Sequence, residues 1–328
     1  MRGMVLPSLG AVWRGTMIVI GVAAGIPARA GDVRSHAHPA GTFGDAVARA
    51  ERMVTQRDAD AVISGETIFL SHGHRTARAV VLFHGLTDSP HQFAELADSL
   101  FADGDNVLVP RLPRHSMQNK DVRELKGLTP GELCRFADET IDVAAGLGDS
   151  VVVMGLSIGG TLAAWTAEHR PEVRRAIVIA PAFEVARVPS MLERPLVNLG
   201  AHLPNLSRRS APDSTHPDRD PGFATHGLVA VLRLGMAVRG DAGRDVPRGE
   251  ILFVVNDHDR TVKEAPVIDL AREWRKRAVP VSVYAFPDSL GLPHNVIDPL
   301  NGAATTVVPP ILLSLARSAD APKWVARR

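Results

Sequence analysis

Residues 150–160 read SVVVMGLSIGG, a β-branched run followed at once by a Gly-x-Ser-x-Gly motif. The run over 150–154 is typical of a buried parallel strand, and the residues after the motif continue a helical pattern to about His169. A serine between a strand and a helix in this motif sits on a turn so tight that side-chain-free neighbours are needed on both sides. The stretch therefore predicts a strand–turn–helix unit with Ser157 as a nucleophile.

Alternating strand and helix patterns continue along most of the chain. Helix patterns cover residues 93–102, 129–147 and 265–277, and strand patterns cover 66–70, 79–83, 106–109, 176–179, 251–255 and 281–286. The helix near residue 130 has its own start signal, with Thr129 as the cap, Pro130 at the first helical position and Glu132 completing a capping box. Strands separated by helices predict an α/β fold with a mostly parallel, doubly wound sheet.

The connection after the strand that ends near residue 179 is too long for a simple loop. Because compact domains seldom carry so much structureless chain, we predict a cap inserted at 184–227 between core segments 66–183 and 228–318. The alternative is a disordered excursion, favoured by the polarity of the stretch. Apolar side chains of this cap either line a substrate pocket or hold the cap on the core: Leu192, Leu196, Val197, Leu199 and Leu203.

The first thirty residues differ from the rest of the chain. They contain no Asp or Glu, and Arg2 and Arg14 precede an apolar run over 17–26 that ends in Ala28-Arg29-Ala30. This order predicts a signal peptide over 1–30, cleavage after Ala30 and export. The alternative is an uncleaved N-terminal membrane anchor. In the N-terminal segment 31–65, we expect residues 31 to about 45 to form a flexible leader.

Charge and cysteine content exclude several classes of function. The formal net charge is +1 and basic residues do not cluster, which argues against nucleic-acid binding. The single cysteine, Cys134, can form no intramolecular disulfide and no cysteine-based metal site, and we expect it to be buried and inert. His72 and His74 have no acidic partner nearby in the sequence and are expected on a surface turn. No metal or cofactor is predicted.

A second motif, FHGL at residues 83–86, ends one of the predicted strands. With the Gly-x-Ser-x-Gly turn, it resembles the α/β-hydrolase superfamily, most closely its carboxylesterase and monoacylglycerol-lipase-like branch, over roughly residues 66–300. The resemblance implies that the backbone N–H groups of Leu86 and Ile158 form an oxyanion hole. His84 is expected to be structural, because the chain order of this family places the base after the acid.

The acid is expected just after the strand at 251–255. The family pattern has Asp followed at the third place by an apolar residue, which selects Asp259 with Val262 and makes Asp257 a loop-capping carboxylate. Asn256 stands where the family often has glycine, and asparagine also tolerates a left-handed turn.

The base is expected after the last strand. His294 lies there on a loop with Gly291 and Pro293, and no other histidine follows Asp259. Ser157, Asp259 and His294 thus occur in the order that this fold requires.

These residues predict an enzyme that cleaves small-molecule carboxylic esters through a Ser-Asp-His triad and an acyl-enzyme intermediate. A thioesterase, lactonase or amidase would use the same triad, because fold alone does not separate these reactions. A non-catalytic binding protein on the same scaffold is a further alternative, and the complete triad argues against it.

Overall fold

The computed structural model describes residues 33–62, 64–209, 217–297, 302–318 and 326–327, so the predicted signal peptide lies outside the described residues. Its strands, in chain order, are β1 Ile68–Leu70, β2 Thr76–Phe83, β3 Asn106–Val109, β4 Gly148–Leu156, β5 Val173–Ile179, β6 Ser207–Arg209, β7 Gly222–Ala224, β8 Glu250–Asn256, β9 Val281–Phe286 and β10 Ala326–Arg327. Strands β6 and β7 pair with each other, and the others form one sheet in the order β1-β3-β2-β4-β5-β8-β9-β10.

The main sheet is parallel from β3 to β9 and antiparallel at both edges. Strand β1 runs antiparallel to β3, and β10 runs antiparallel to β9. The pairs between them, including β2 with β4 and β8 with β9, are parallel. The predicted mostly parallel sheet is therefore confirmed.

Helices cover both faces of the sheet. They are α1 Phe43–Arg52, α2 Ala94–Ala102, α3 Pro130–Leu147, α4 Ile158–His169, α5 Ser190–Gly200, α6 Thr225–Asp241, α7 Ala265–Lys276 and α8 Gly302–Arg317. Buried residues of α1, α3, α4, α6 and α7 pack together in the core on one face, and those of α2 and α8 form the core on the other. Because strands buried on both faces need apolar side chains on both, the central strands read as continuous hydrophobic runs.

Only one of the two hydrogen bonds of the predicted capping box is formed at the start of α3. The Thr129 hydroxyl accepts a hydrogen bond from the Glu132 amide at 3.1 Å, and Pro130 opens the helix. The Glu132 carboxylate instead accepts from Nε of Arg114 at 3.1 Å. The capping box is therefore half formed, because a guanidinium competes for the glutamate.

The expectation of a flexible leader before α1 is wrong for its described part. The backbone amide of His36 donates to Asp138 at 2.7 Å, and that of His38 donates to Asp142 at 2.9 Å. Both carboxylates belong to α3 and are buried. Charged acceptors at i and i+4 of one helix therefore fix a segment whose composition resembles a loop.

The predicted cap region contains α5, the β6–β7 hairpin and the start of α6 in its described part. Of the apolar side chains expected to line a pocket or hold the cap, Val197 is buried, whereas Leu192, Leu196 and Leu203 are exposed. Val197 is therefore the side chain of this set that is placed to hold the cap in position and not to line an open pocket. Across the described segments, no helix combines the length and the apolar character that crossing a membrane requires.

Candidate active site

Ser157 occupies a sharp turn between β4 and α4. Its backbone has φ 60° and ψ −114°, a conformation that side-chain-bearing residues rarely adopt. A Cβ on Gly155 would lie 2.1 Å from the carbonyl oxygen of Gly159, and one on Gly159 would lie 1.9 Å from that of Phe83. Both neighbours must be glycine, because the strand and helix approach too closely for any side chain.

The two amides expected to bind an oxyanion come from neighbouring strand ends. Strands β2 and β4 pair in parallel with Phe83 opposite Gly155, so Leu86 and Ile158 each lie three residues beyond a register partner. Ile158 is the first residue of α4, and its N–H is among those that the helix itself leaves without an acceptor. The positive end of the helix dipole favours negative charge there.

Asp259 and His294 are in direct contact. Nδ1 of His294 donates to Oδ2 of Asp259 at 2.7 Å, while Oδ1 accepts from the amides of Thr261 and Val262 at 2.7 and 3.2 Å. Burial opposes ionisation of Asp259, but the hydrogen bond and charge of His294 with these two amides outweigh it and lower the pKa. The carboxylate is therefore held ionised beside the imidazole.

The second nitrogen of His294 is available for chemistry. Nε2 is buried and has no hydrogen-bond partner in the part of the chain that the structure describes. Ser157, Asp259 and His294 follow β4, β8 and β9, whose carboxyl ends share one edge of the sheet. The Asp259–His294 pair is formed, whereas no hydrogen bond joins Ser157 to His294 among the described residues. Such bonds often tighten only when substrate is bound.

Asn256 does not occupy the left-handed turn that was considered for it. Asn256 is the last residue of β8, and its backbone is not in the left-handed conformation. Its Nδ2 donates to the carbonyl oxygens of Leu292 and Pro293 at 2.8 and 3.1 Å, and Oδ1 accepts from the amide of His258. Asn256 thus holds the loop that carries His294. The signal in the sequence is a polar residue ending an apolar strand, since a buried amide needs partners.

His84 supports the loop that follows β2. Its Nε2 accepts from the amide of Leu112 at 3.0 Å, so Nδ1 carries the proton and donates to the carbonyl oxygen of Gly85 at 2.9 Å. Burial, followed by the neighbouring His115, lowers the pKa of His84 well below its usual value. Both ring nitrogens are occupied by structural hydrogen bonds, which leaves neither free to act as a base.

The other residues considered for metal chemistry lie elsewhere. His72 is exposed and stacks on Phe101 at a centroid distance of 4.1 Å, and Cys134 is buried. The described residues contain no group of three or more His, Cys, Asp or Glu side chains placed to hold a metal ion.

Comparisons with known proteins show what this chain is similar to. The model of the alpha/beta hydrolase family matches residues 80–308. The thermostable monoacylglycerol lipase of Bacillus sp. (strain H-257) is 30% identical over 193 residues, which cover 56% of this chain and 71% of that protein.

Solved structures show the same fold. The monoacylglycerol lipase of Paleococcus ferrophilus aligns with a TM-score of 0.52 at 18% identity, covering 71% of this chain and 91% of that one. A structure of the metagenome-derived lipolytic enzymes LipS and LipT aligns with a TM-score of 0.56 at 18% identity, covering 78% and 99%. The predicted fold and the resemblance to esterases and lipases are confirmed.

Proposed function

This chain belongs to the alpha/beta hydrolase family, and we propose that it hydrolyses carboxylic esters with Ser157 as nucleophile, His294 as base and Asp259 as the acid that orients the base. One observation carries the proposal. The His294 imidazole is fixed through Nδ1 by an ionised Asp259, and its buried Nε2 has no partner among the described residues. It lies on the same sheet edge as a serine held in a strained turn.

In the acylation step, Nε2 of His294 accepts the proton of the Ser157 hydroxyl while Oγ attacks the ester carbonyl carbon. The amides of Leu86 and Ile158 bind the oxygen that becomes negative. Asp259 keeps the other imidazole proton on Nδ1 and stabilises the imidazolium. Collapse of the tetrahedral intermediate breaks the bond to the alcohol, which takes the proton from Nε2.

In the deacylation step, a water molecule attacks the acyl-enzyme and gives its proton to Nε2. The second tetrahedral intermediate releases the carboxylic acid, and the proton returns from Nε2 to the Ser157 oxygen. The enzyme is regenerated with its original protonation, so each cycle consumes one ester and one water.

The substrate class rests on the relatives. The curated relative with 30% identity is a monoacylglycerol lipase, which supports a monoacyl ester as substrate in preference to a thioester, lactone or amide. The same triad would serve all four reactions, so the distinction depends on the pocket and not on the chemistry.

Hydrolysis of a substrate panel tests this proposal. The panel contains p-nitrophenyl esters from short to long acyl chains, monoacylglycerols, an acyl thioester and a lactone, each assayed with wild type and Ser157→Ala. We expect the highest kcat/KM on the oxygen esters, including monoacylglycerols, and no turnover by the variant. A thioester or lactone cleaved faster than every ester would replace the proposed substrate class, and full activity of Ser157→Ala would refute the mechanism.

A further inference from the structure

A buried carboxylate, Asp88, connects three segments near the candidate active site. It lies two residues after Leu86 and is 7% exposed. Its Oδ2 accepts from Nε2 of Gln92 at 2.9 Å and from Nδ2 of Asn295 at 3.1 Å, and its Oδ1 accepts from Nε of Arg219 at 3.1 Å. The donors belong to the turn before α2, to the loop of His294 and to the cap region.

Towards His294, these side chains close a ring of hydrogen bonds. Asn295 directly follows His294, and its Oδ1 accepts from Nε2 of Gln92 at 2.9 Å. Oε1 of Gln92 accepts from the amide of Gly85 at 2.8 Å. Since an ionised carboxylate only accepts, both amide groups of the ring have one orientation. The backbone immediately before Leu86 is thereby linked to the residue immediately after His294.

On the side of the cap, the consecutive residues 218–220 all form hydrogen bonds with the loop over residues 87–89. Besides the bond from Arg219 to Asp88, the amide of Asp220 donates to the carbonyl oxygen of Thr87 at 2.9 Å, and the hydroxyl of Ser89 donates to Asp218. Thr87 has φ 66°, a conformation that is costly for a β-branched residue. The cap contacts therefore surround the most strained residue of the loop.

Burying the charge of the Asp88 carboxylate costs desolvation free energy, so this residue is better explained by the groups it holds in place than by a gain in stability. Burial raises the pKa of Asp88, and the charge of Arg219 opposes this shift. An apolar side chain would fill the same space without desolvating an ion. Only a carboxylate has two oxygens that can both accept hydrogen bonds, one from the amide donors and the other from Arg219.

We propose that Asp88 is a positioning residue for the oxyanion hole, fixing the Leu86 amide relative to His294 through Gln92 and Asn295 and linking this arrangement to the cap through Arg219. It touches no reacting atom and acts only through the loop that it holds. The inference rests on the proposed function, because the oxyanion hole of Leu86 and Ile158 belongs to that mechanism.

Asp88→Asn tests the proposal with almost no change in volume. An asparagine cannot accept from both sides, since its amino group faces either the two amide donors or the guanidinium of Arg219. The matched control is Asp105→Asn, which removes another buried carboxylate, one that binds Arg78 at 2.8 Å. Asp105 precedes β3, at the sheet edge opposite the candidate site.

The readouts are kcat and KM on a p-nitrophenyl ester, the melting temperature and the pH profile of kcat/KM. Removing a single oxyanion donor lowers kcat by about a hundredfold to a thousandfold, so a displaced donor should cost about tenfold to a hundredfold. For Asp88→Asn we expect that loss in kcat, little change in KM and an unchanged midpoint of the pH profile, because Asp259 still orients His294. For Asp105→Asn we expect a lower melting temperature with kcat within about twofold of wild type.

A double-mutant cycle gives a second and independent readout. Arg219→Ala and Asn295→Ala remove side chains that both donate to the Asp88 carboxylate, so their effects on ln kcat should be non-additive in the wild-type background and additive in Asp88→Asn. If Asp88→Asn does not fold, Asn295→Ala decides alone, since it leaves the Asp88–Arg219 pair intact and should lower kcat at constant melting temperature.

Two results would overturn the positioning role. One is a kcat for folded Asp88→Asn, or for Asn295→Ala, within about twofold of wild type, and the other is additivity of the pair in the wild-type background. Failure of the proposed function gives a different result, because Ser157→Ala would then keep its activity regardless of the effect of Asp88→Asn.

Discussion

Replacing Asp259 by asparagine changes one atom of the carboxylate, and the surrounding hydrogen bonds determine where that atom lies. Oδ1 accepts from the amides of Thr261 and Val262, so in Asp259→Asn the amide oxygen must stay at that position. The new amino group then faces Nδ1 of His294, where Oδ2 now accepts. Nδ1 must become the acceptor, and the imidazole proton moves to Nε2.

This tautomer cannot accept the proton of the Ser157 hydroxyl. The equivalent change in a serine protease triad lowers kcat by about ten-thousandfold, which corresponds to about 5 kcal/mol in the activation free energy. We expect a loss of about a thousandfold to ten-thousandfold in kcat on a p-nitrophenyl ester. Folding should be largely retained, because the loop amides keep their acceptor, and the melting temperature measures this.

Asp257→Asn is the matched control, two residues away on the same loop. Its backbone amide donates to the carbonyl oxygen of Phe286, and this bond survives the substitution. We expect kcat to change by less than about tenfold, because Asp259 and not Asp257 contacts Nδ1 of His294. If Asp257→Asn were inactive while Asp259→Asn stayed active, Asp259 would not be the acid that keeps the proton on Nδ1 of His294.

Three further predictions concern the close approach at Gly159, the loop of His294 and the buried carboxyl group of Glu168. Gly159→Ala would place a methyl group 1.9 Å from the carbonyl oxygen of Phe83, so we expect little soluble protein, whereas Gly44→Ala, with open space around its Cβ, should leave the melting temperature equal or slightly higher. Asn256→Ala releases the loop of His294, and we expect kcat to fall by about tenfold to a hundredfold with KM nearly constant; an unchanged kcat would contradict the positioning role of this amide. Burial, with two nearby aspartates, raises the pKa of Glu168 well above its usual value. The contribution of Glu168 to the free energy of unfolding is therefore present at low pH and is lost as pH rises through the folded-state pKa. Glu168→Gln should therefore raise the melting temperature at alkaline pH, with the gain disappearing in acid; thermal unfolding across pH measures it, and a gain independent of pH would be inconsistent with this sign.

The strands and the sharp turn at Ser157 could be predicted because their signals are local. The β-branched run before Ser157 and the glycines around it report burial and close approach within a dozen residues. Asp259 and His294 could be selected by their order along the chain, and the structure brings these two side chains into contact. The predicted class, an ester-hydrolysing enzyme, is confirmed by the family and by the lipase and esterase relatives.

The polar network around Asp88 could not be predicted in the same way. Asp88 and Asn295 are 207 positions apart, and neither has a sequence environment that distinguishes it from an ordinary loop residue. The ordered segment before α1 could not be predicted for the same reason, because its partners Asp138 and Asp142 lie on a helix that is distant in the sequence. Periodicity reports which side chains are apolar, whereas buried polar partners depend on the tertiary arrangement.

If Ser157 is the nucleophile of ester hydrolysis, a reagent that reacts covalently with activated serines must label it. The enzyme is treated with a fluorophosphonate, the residual activity on a p-nitrophenyl ester is followed, and the labelled peptide is identified by mass spectrometry. We expect one label per chain on Ser157, activity lost in proportion to labelling, and neither label nor activity in Ser157→Ala. Labelling of another residue in step with the loss of activity, or full hydrolysis by an unlabelled Ser157→Ala chain, would contradict the mechanism.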